Sequence, residues 1–427
     1  MSIGKLGKYS FGVGDRFAQE AAAQLAAIQK AKARGVSITP VWNKSFREHS
    51  IAKSRPASTR IAADAAVKEL HWTDGYFVDA DHVNLDTVDE FIACSDYFTI
   101  DVAEHIGKPA RKDEVESFVL DNRHFIGSLK VHDLVPPFSI SQDMLRHAAE
   151  KYLQAVREAG EIYRHIRNAK ASSPFVVEIS MDEASTAQTP IELFIVMAAM
   201  AAENIPIQAI ALKFSGRCNK GIDYVGDPGT FKKEFEADLA VIHFSVHEFG
   251  LPEDLKISVH TGSDKFSIYP VIREAIKKYD AGIHVKTAGT TWLEELIGLA
   301  EASESGLKMA KRIYSESLSR LDALVADYTA VIDIDPKALP PASVVSGWDG
   351  KRLSGWDGKR FAAALRHDPN CPEYNPHFRQ LLHVGFKIAA EMGEAFIDAI
   401  NENKGLISSN VTANIYTRHL CRLFDLI

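Results

Sequence analysis

Ionisable side chains recur inside, or just after, short apolar runs along the first two thirds of the chain. Asp15 and Arg16 close the first run and Lys44 the second, while Asp79, Asp81 and His82 end the third (77-FVDADHV-83). Asp101 and Glu104 follow the fourth. Glu178 is inside the fifth, with Asp182 and Glu183 just past it. Lys213 ends the sixth, His260, Asp264 and Lys265 the seventh, and His284 and Lys286 lie in the eighth. A charge inside an apolar run is costly unless it is paired or coordinates a cation. An ion pair could account for any one of these residues. Their recurrence at the same end of every run points instead to an active site.

Histidine combined with carboxylate suits a borderline divalent cation such as zinc, manganese, cobalt, nickel or iron. His82, His260 and His284 are the candidate ligands. Glu178 is either a fourth ligand or an acid/base group. His284 alternates with Val285, so it faces the same way as Lys286 but at a deeper level, and it could equally be a structural histidine. Lys213, Lys265 and Lys286, with Asp15, Arg16 and Lys44 near them, fit an anionic substrate. A carboxylate is favoured over a phosphate because no glycine-rich cradle follows the eighth run, although Ala288-Gly289-Thr290 could offer a helix N-terminus to an anion.

Three motifs carry less than they suggest. Gly12-Val-Gly-Asp-Arg-Phe17 resembles a dinucleotide fingerprint but lacks its third glycine and the later acidic partner. His243-Phe-Ser-Val-His247 has zincin spacing, but Phe244 stands where the general-base glutamate belongs. The heptapeptide SGWDGKR occurs at both 346–352 and 354–360. It reads as a duplicated turn with Asp-Gly at its tip, or as a loop that sets Trp348 or Trp356 against a ligand.

The elements that position these residues follow from the periodicity. Strands are expected near 10–15, 38–43, 76–83, 97–102, 175–180, 209–214, 256–261 and 283–287, several of them continuously apolar as in a sheet buried on both faces. Helices alternate with them. Thr189-Pro-Ile-Glu192 is a capping box with proline at its first position, Asp227-Pro228 a further start, and Thr291-Trp-Leu-Glu294 a second capping box. Eight such units predict an α/β protein of the (β/α)8 TIM-like barrel class, with its site at the carboxyl ends of the strands; seven or nine strands would also fit. A charged, partly helical insertion is expected at 105–170. The barrel should span 1–304, and 305–427 should form a mostly helical C-terminal extension packed on it.

Composition narrows the function classes. Asp plus Glu outnumber Lys plus Arg by 57 to 49, for a net charge of −8, which argues against nucleic acid or a membrane surface as partner. The four cysteines have no CxxC spacing, so neither a disulfide framework nor a thiolate zinc site is expected. The first residues contain no apolar leader core, and the charge-free run 193–202 is too short to cross a bilayer. A cytoplasmic enzyme acting on a small molecule is the expectation.

With these segments in place, the sequence resembles the tagaturonate epimerase family. The likeness rests on GKYSFGVGDRF at 7–17, FVDADHV at 77–83, KISVHTGSDKFSIYP at 256–270 and HVKTAGTTWLEE at 284–295; the last third of the chain contributes less. The resemblance implies a divalent-metal-dependent isomerase that interconverts tagaturonate and fructuronate in hexuronate catabolism. It also implies Asp81 as proton acceptor, Glu178 as proton donor, and His82 and His260 as metal ligands. The two ketouronates differ at a carbon one removed from the ketone's α carbon, so its C–H is not acidified. A retro-aldol is the better route: a base takes the hydroxyl proton there, the adjacent C–C bond breaks, the aldehyde rotates, and the bond re-forms on the other face. This needs a Lewis acid, acid/base groups and cations for the carboxylate. The alternatives are another metal-dependent sugar isomerase or a class II aldolase, and a non-catalytic sugar-acid-binding protein.

Overall fold

In the computed structural model, which describes residues 5–131, 134, 137–348, 350–352 and 355–426, eight parallel strands close into a barrel. They are β1 (Tyr9–Val13), β2 (Thr39–Ser45), β3 (Phe77–Val83), β4 (Tyr97–Asp101), β5 (Val176–Ser180), β6 (Ala209–Ala211), β7 (Lys256–His260) and β8 (Ile283–Lys286). Each pairs with its sequence neighbours, and β1 closes on β8. All eight coincide with the expected runs. Outward-facing residues such as Ile179 and Val285 are buried under helices, while the inward-facing Glu178 and Lys286 are buried in the lumen. That two-sided burial is why these strands lack a polar face.

Registry places the charged residues side by side. Lys286 pairs across from Gly12 on β1 and His260 on β7, and Thr99 from Glu178. Gly12 is required here: a Cβ at that position would lie 2.8 Å from Lys286 Cγ. Gly14 likewise lets the backbone of Ala288 approach, with 2.6 Å left for any Cβ. The glycines of the incomplete fingerprint therefore serve the β1–β8 seam. The β3–β4 ladder is interrupted between Ala80 and Val83, and within that bulge His82 has φ of 55°. A non-glycine residue in the left-handed region is uncommon and strained, and such strain concentrates at functional sites.

Two helix starts match expectation. Thr189 caps the helix Pro190–Ala202 in a full capping box, and Asp227 caps Pro228–Phe249. The third does not. The helix Thr290–Ala302 begins before Thr291 and has no side-chain cap. Thr291 Oγ1 instead accepts from Gln24 Nε2 at 2.8 Å, and Thr290 Oγ1 donates to Asp264 at 3.2 Å. Both threonines bridge to neighbouring elements rather than to their own backbone.

The insertion after β4 contains a short helix (Lys112–Asp121), a small hairpin (Gly127–Leu129 with Phe138–Ile140) and a 29-residue helix, Gln142–Lys170, which leads back to β5. The C-terminal region is helical as expected. Its helix Lys404–Ala413 packs along Thr290–Ala302, and Trp292 Nε1 donates to Leu382 O at 2.7 Å. A buried ionic knot ties it further to the loop after β7. Asp264 receives Arg379 Nη2 at 2.8 Å and His419 Nε2 at 3.1 Å, all three side chains being inaccessible to solvent.

In the SGWDGKR repeat, strands Gly350–Arg352 and Gly355–Asp357 pair antiparallel, so the end of the first copy lies on the start of the second. Trp348 is buried on Phe378 under the guanidinium of Arg360, not against a ligand space. Asp349, Leu353, Ser354 and the Trp356 side chain lie outside the described residues. His243 and His247 are exposed on Pro228–Phe249. Among the described residues no helix is long and apolar enough to cross a membrane.

Candidate active site

Lys286 is the hub of the lumen. Its Nζ lies 2.7 Å from Asp79 Oδ2, 2.8 Å from Asp81 Oδ1 and 3.2 Å from Glu178 Oε1, and donates to Thr99 Oγ1 at 2.5 Å. Tyr97 donates to the other oxygen of Glu178 at 2.5 Å. The ammonium is held well above its usual value because Asp79 and Asp81 outweigh its burial. Burial, opposed by Lys286 and reinforced by Asp81 and Glu178, raises Asp79 to about 7. Asp81 and Glu178 are lowered despite burial, Asp81 by Lys286 and His82, Glu178 by Lys286 and His260. One buried cation thus supports three carboxylates, and loss of any one partner would leave the rest uncompensated.

Above this hub sit the two histidines expected to hold a metal. Their rings are 5.2 Å apart, centroid to centroid. His260 Nε2 is hydrogen-bonded to Glu178 Oε1 at 2.7 Å, and its Nδ1 lies 3.2 Å from Asp182 Oδ2. His82 Nδ1 is bonded to Asp101 at 3.2 Å, and its Nε2 turns inward, 3.8 Å from Asp81 Oδ1. His82, Asp182 and His260 can each offer one atom such that all three lie within 4.8 Å of one another. Each histidine therefore has one nitrogen anchored by a carboxylate and the other turned towards a shared point. This is the arrangement that fixes tautomer and ring orientation in metal-ligating imidazoles.

The donor set fits a cation by a second measure. His260 Nδ1 is buried without a hydrogen-bond partner of acceptable geometry. Burial lowers both imidazoles, but Asp81 and Asp101 lift His82 well above its ordinary value, and Asp182 and Glu178 bring His260 to about 9. The carboxylates that lift them are the same ones that would favour a cation between the rings.

Asp182 completes the cluster in place of His284. His284 lies deeper in the barrel, its Nδ1 2.9 Å from Ser10 Oγ and its ring 5.4 Å from that of Tyr97. Burial depresses it to about 3, so it is a neutral core imidazole. Its place two residues before Lys286 puts it at a deeper level of β8, which by itself leaves ligand and structural histidine equally open. Asp182 follows β5 by two residues, in a loop whose course depends on β6.

The expected substrate-binding residues are mostly turned inward. Asp15 accepts from the backbone N–H groups of Phe17 and Glu20. Arg16 pairs with Glu48 and lies over the Phe386 ring. Lys44 donates to Arg16 O and Ser54, Lys265 donates to Ser263, and Lys286 is the hub. Lys44, Lys213 and Lys265 form no ion pair among the described residues, and of the three only the half-buried Lys213 makes no side-chain hydrogen bond either.

A family model for tagaturonate epimerase matches residues 3–353. The chain belongs to the tagaturonate epimerase family. Membership makes it an isomerase, of the epimerase kind, on a (β/α)8 barrel. Among its relatives is the tagaturonate/fructuronate epimerase of Thermotoga maritima, 27% identical over 96% of this chain and 80% of that protein. Two glycerol complexes of the fructuronate-tagaturonate epimerase of Cohnella laeviribosi share the fold. One, at 22% identity, covers 99% of this chain and 83% of that one with a TM-score of 0.79. The other, at 23%, covers 100% and 82% with a TM-score of 0.77.

Proposed function

We propose that this protein interconverts D-tagaturonate and D-fructuronate, with a divalent cation held by His82, Asp182 and His260. Family membership supports the reaction. The observation that carries the site is the pair of carboxylate-anchored histidines converging with Asp182. A cation bound there would supply Lewis-acid polarisation of the substrate's oxygens.

The chain's own residues do the rest. Asp81 is the carboxylate at the edge of the hub, kept ionised by Lys286 and His82. It takes the hydroxyl proton of the epimerised carbon as the adjacent C–C bond breaks. The aldehyde turns its other face, the bond re-forms, and a proton returns to the new hydroxyl. Glu178 is fully buried and locked to Tyr97, His260 and Lys286, a position better suited to holding His260 than to meeting substrate. It therefore positions, rather than donates as the resemblance implied. Localisation in the cytoplasm fits the reading.

The test is conversion of tagaturonate followed by NMR, before and after chelation and re-addition of zinc, manganese, cobalt, nickel or iron. Turnover should vanish on chelation and return with one of these ions, and His82→Ala should lose both ion and turnover. Full, chelator-resistant activity in His82→Ala or His260→Ala would remove the metal role. Steady accumulation of cleavage products would favour an aldolase.

A further inference from the structure

An acidic sugar needs cations that are not already spent; Lys44, Lys265 and Lys286 are engaged, which leaves Lys213 just past β6. The loop after β6 supplies another. Lys220 is half-buried, and no carboxylate lies within ion-pair distance of its Nζ among the described residues. Its backbone N–H donates to Val331 O at 2.8 Å, which ties this loop to the C-terminal extension. Its Nζ lies 5.1 Å from the centroid of Tyr328, a buried ring of that extension. Arg47, from the helix Phe46–Ile51 that follows β2, lies 5.0 Å from the same centroid. Lys387 also approaches it, at 4.9 Å, but is neutralised by Asp327 at 3.0 Å.

Lys220 and Arg47 are carried on the loops after β6 and β2, strands that stand on opposite sides of the eight-stranded barrel, and both reach the Tyr328 ring. Two cations that meet at one ring from opposite strands lie over the mouth rather than on the outer wall. Glu48 is committed to Arg16 and Glu183 is exposed. Two positive charges, Lys220 and Arg47, therefore face the entrance without an ion-pair partner among the described residues.

We propose that Lys220, seconded by Arg47, binds the carboxylate of the sugar acid, and that Tyr328 of the C-terminal extension holds the two cations in place for it. The inference rests on the ketouronate reading for its substrate class. It makes Lys220 the specificity residue that separates the acid sugar from the neutral ketohexose bearing CH2OH at the same carbon. A charge-assisted hydrogen bond of this kind is worth about 1.5–3 kcal/mol, or roughly 10- to 150-fold in affinity.

The experiment compares the full, cation-loaded protein with Lys220→Met and Lys220→Arg. Binding of D-galactonate, an unreactive hexonate, is measured by calorimetry, and KM and kcat are measured for tagaturonate and for D-tagatose. Lys220→Met should weaken galactonate and raise KM for tagaturonate at least about tenfold, leave kcat within about threefold, and leave tagatose untouched. Lys220→Arg should recover most of the loss. Unchanged galactonate affinity in Lys220→Met would overturn the proposal, as would an equal loss for acid and neutral sugar. If Lys220→Met melts far below wild type, the same comparison with Lys220→Gln and Arg47→Met decides. Should wild type turn over neither ketouronate, yet galactonate binding still depend on Lys220, the carboxylate subsite stands and the epimerase reading fails.

Discussion

Replacing Lys286 by methionine removes the only ammonium among Asp79, Asp81 and Glu178. The three contacts lie between 2.7 and 3.2 Å, and the side chains involved are at most 10% exposed. Breaking a buried ion pair from one side costs about 3–5 kcal/mol, because the partner is left uncompensated. With an unfolding entropy of roughly 2.1 cal/mol/K per residue, a chain of this length melts about 1 °C lower per kcal/mol, so the deficit should be about 3–6 °C. The pH dependence is the sharper test. In the native protein Asp81 and Glu178 are lowered. They add stability above the unfolded carboxylate value of about 4, and that share is lost only as pH falls through their folded values. Without Lys286 the same carboxylates are raised by burial and must take up protons or stay charged at a cost. The deficit of Lys286→Met should therefore be full near pH 8 and shrink as pH falls towards about 5. Scanning calorimetry across that range, with chelator present throughout, reads it directly. A deficit that is equal at both ends, or a variant as stable as wild type near pH 8, would refute the account of the hub as an ion-paired cluster.

Cation affinity should rise with pH, since His82 and His260 are both raised in the metal-free protein and an imidazole must be neutral to bind. Calorimetry of zinc binding in two buffers of different ionisation enthalpy should register proton release at about pH 7.5; no release would contradict it. At the second buried knot, Arg379→Met strands Asp264 and should cost about 3–5 kcal/mol. Limited proteolysis of the C-terminal helices should accelerate with it, and an unchanged cleavage rate would show that the knot does not hold the extension down.

Much of the framework could be read from the residues. The eight strands announce themselves because both faces are buried, so each is a near-continuous apolar run. Thr189 and Asp227 cap as expected because a cap is a local bargain between a side chain and the next turn. Thr291 misleads for the opposite reason: its hydroxyl has a better partner in Gln24, far away in sequence. The site was legible as a set of residue types but not as a set of distances. Lys286 looked like a substrate ligand because nothing in β8 shows that Asp79 and Asp81 point at it across the lumen. Asp182 is placed just past the fifth strand but does not read as a ligand, and Lys220 does not stand out at all, because a charge in a loop has the same signature as a solvated surface. His82 carried a sign that only backbone geometry exposes, the left-handed φ at the β3 bulge.

The knot at Asp264 has a consequence for how the molecule is made. His419 and Arg379 follow Asp264 by 155 and 115 residues. At roughly 5–20 residues per second, a ribosome needs about 8–30 s to reach His419 after Asp264 has been added. Once Lys286 has been added all eight strands exist, but until Arg379 and His419 follow, the carboxylate of Asp264 lacks both partners and must remain hydrated. The loop after β7, which begins next to His260, can settle only when the last helices arrive. Assembly of the catalytic mouth is thereby made to wait for the extension, so that a polypeptide interrupted before residue 379 carries a nearly finished barrel whose seventh loop has nothing to close upon.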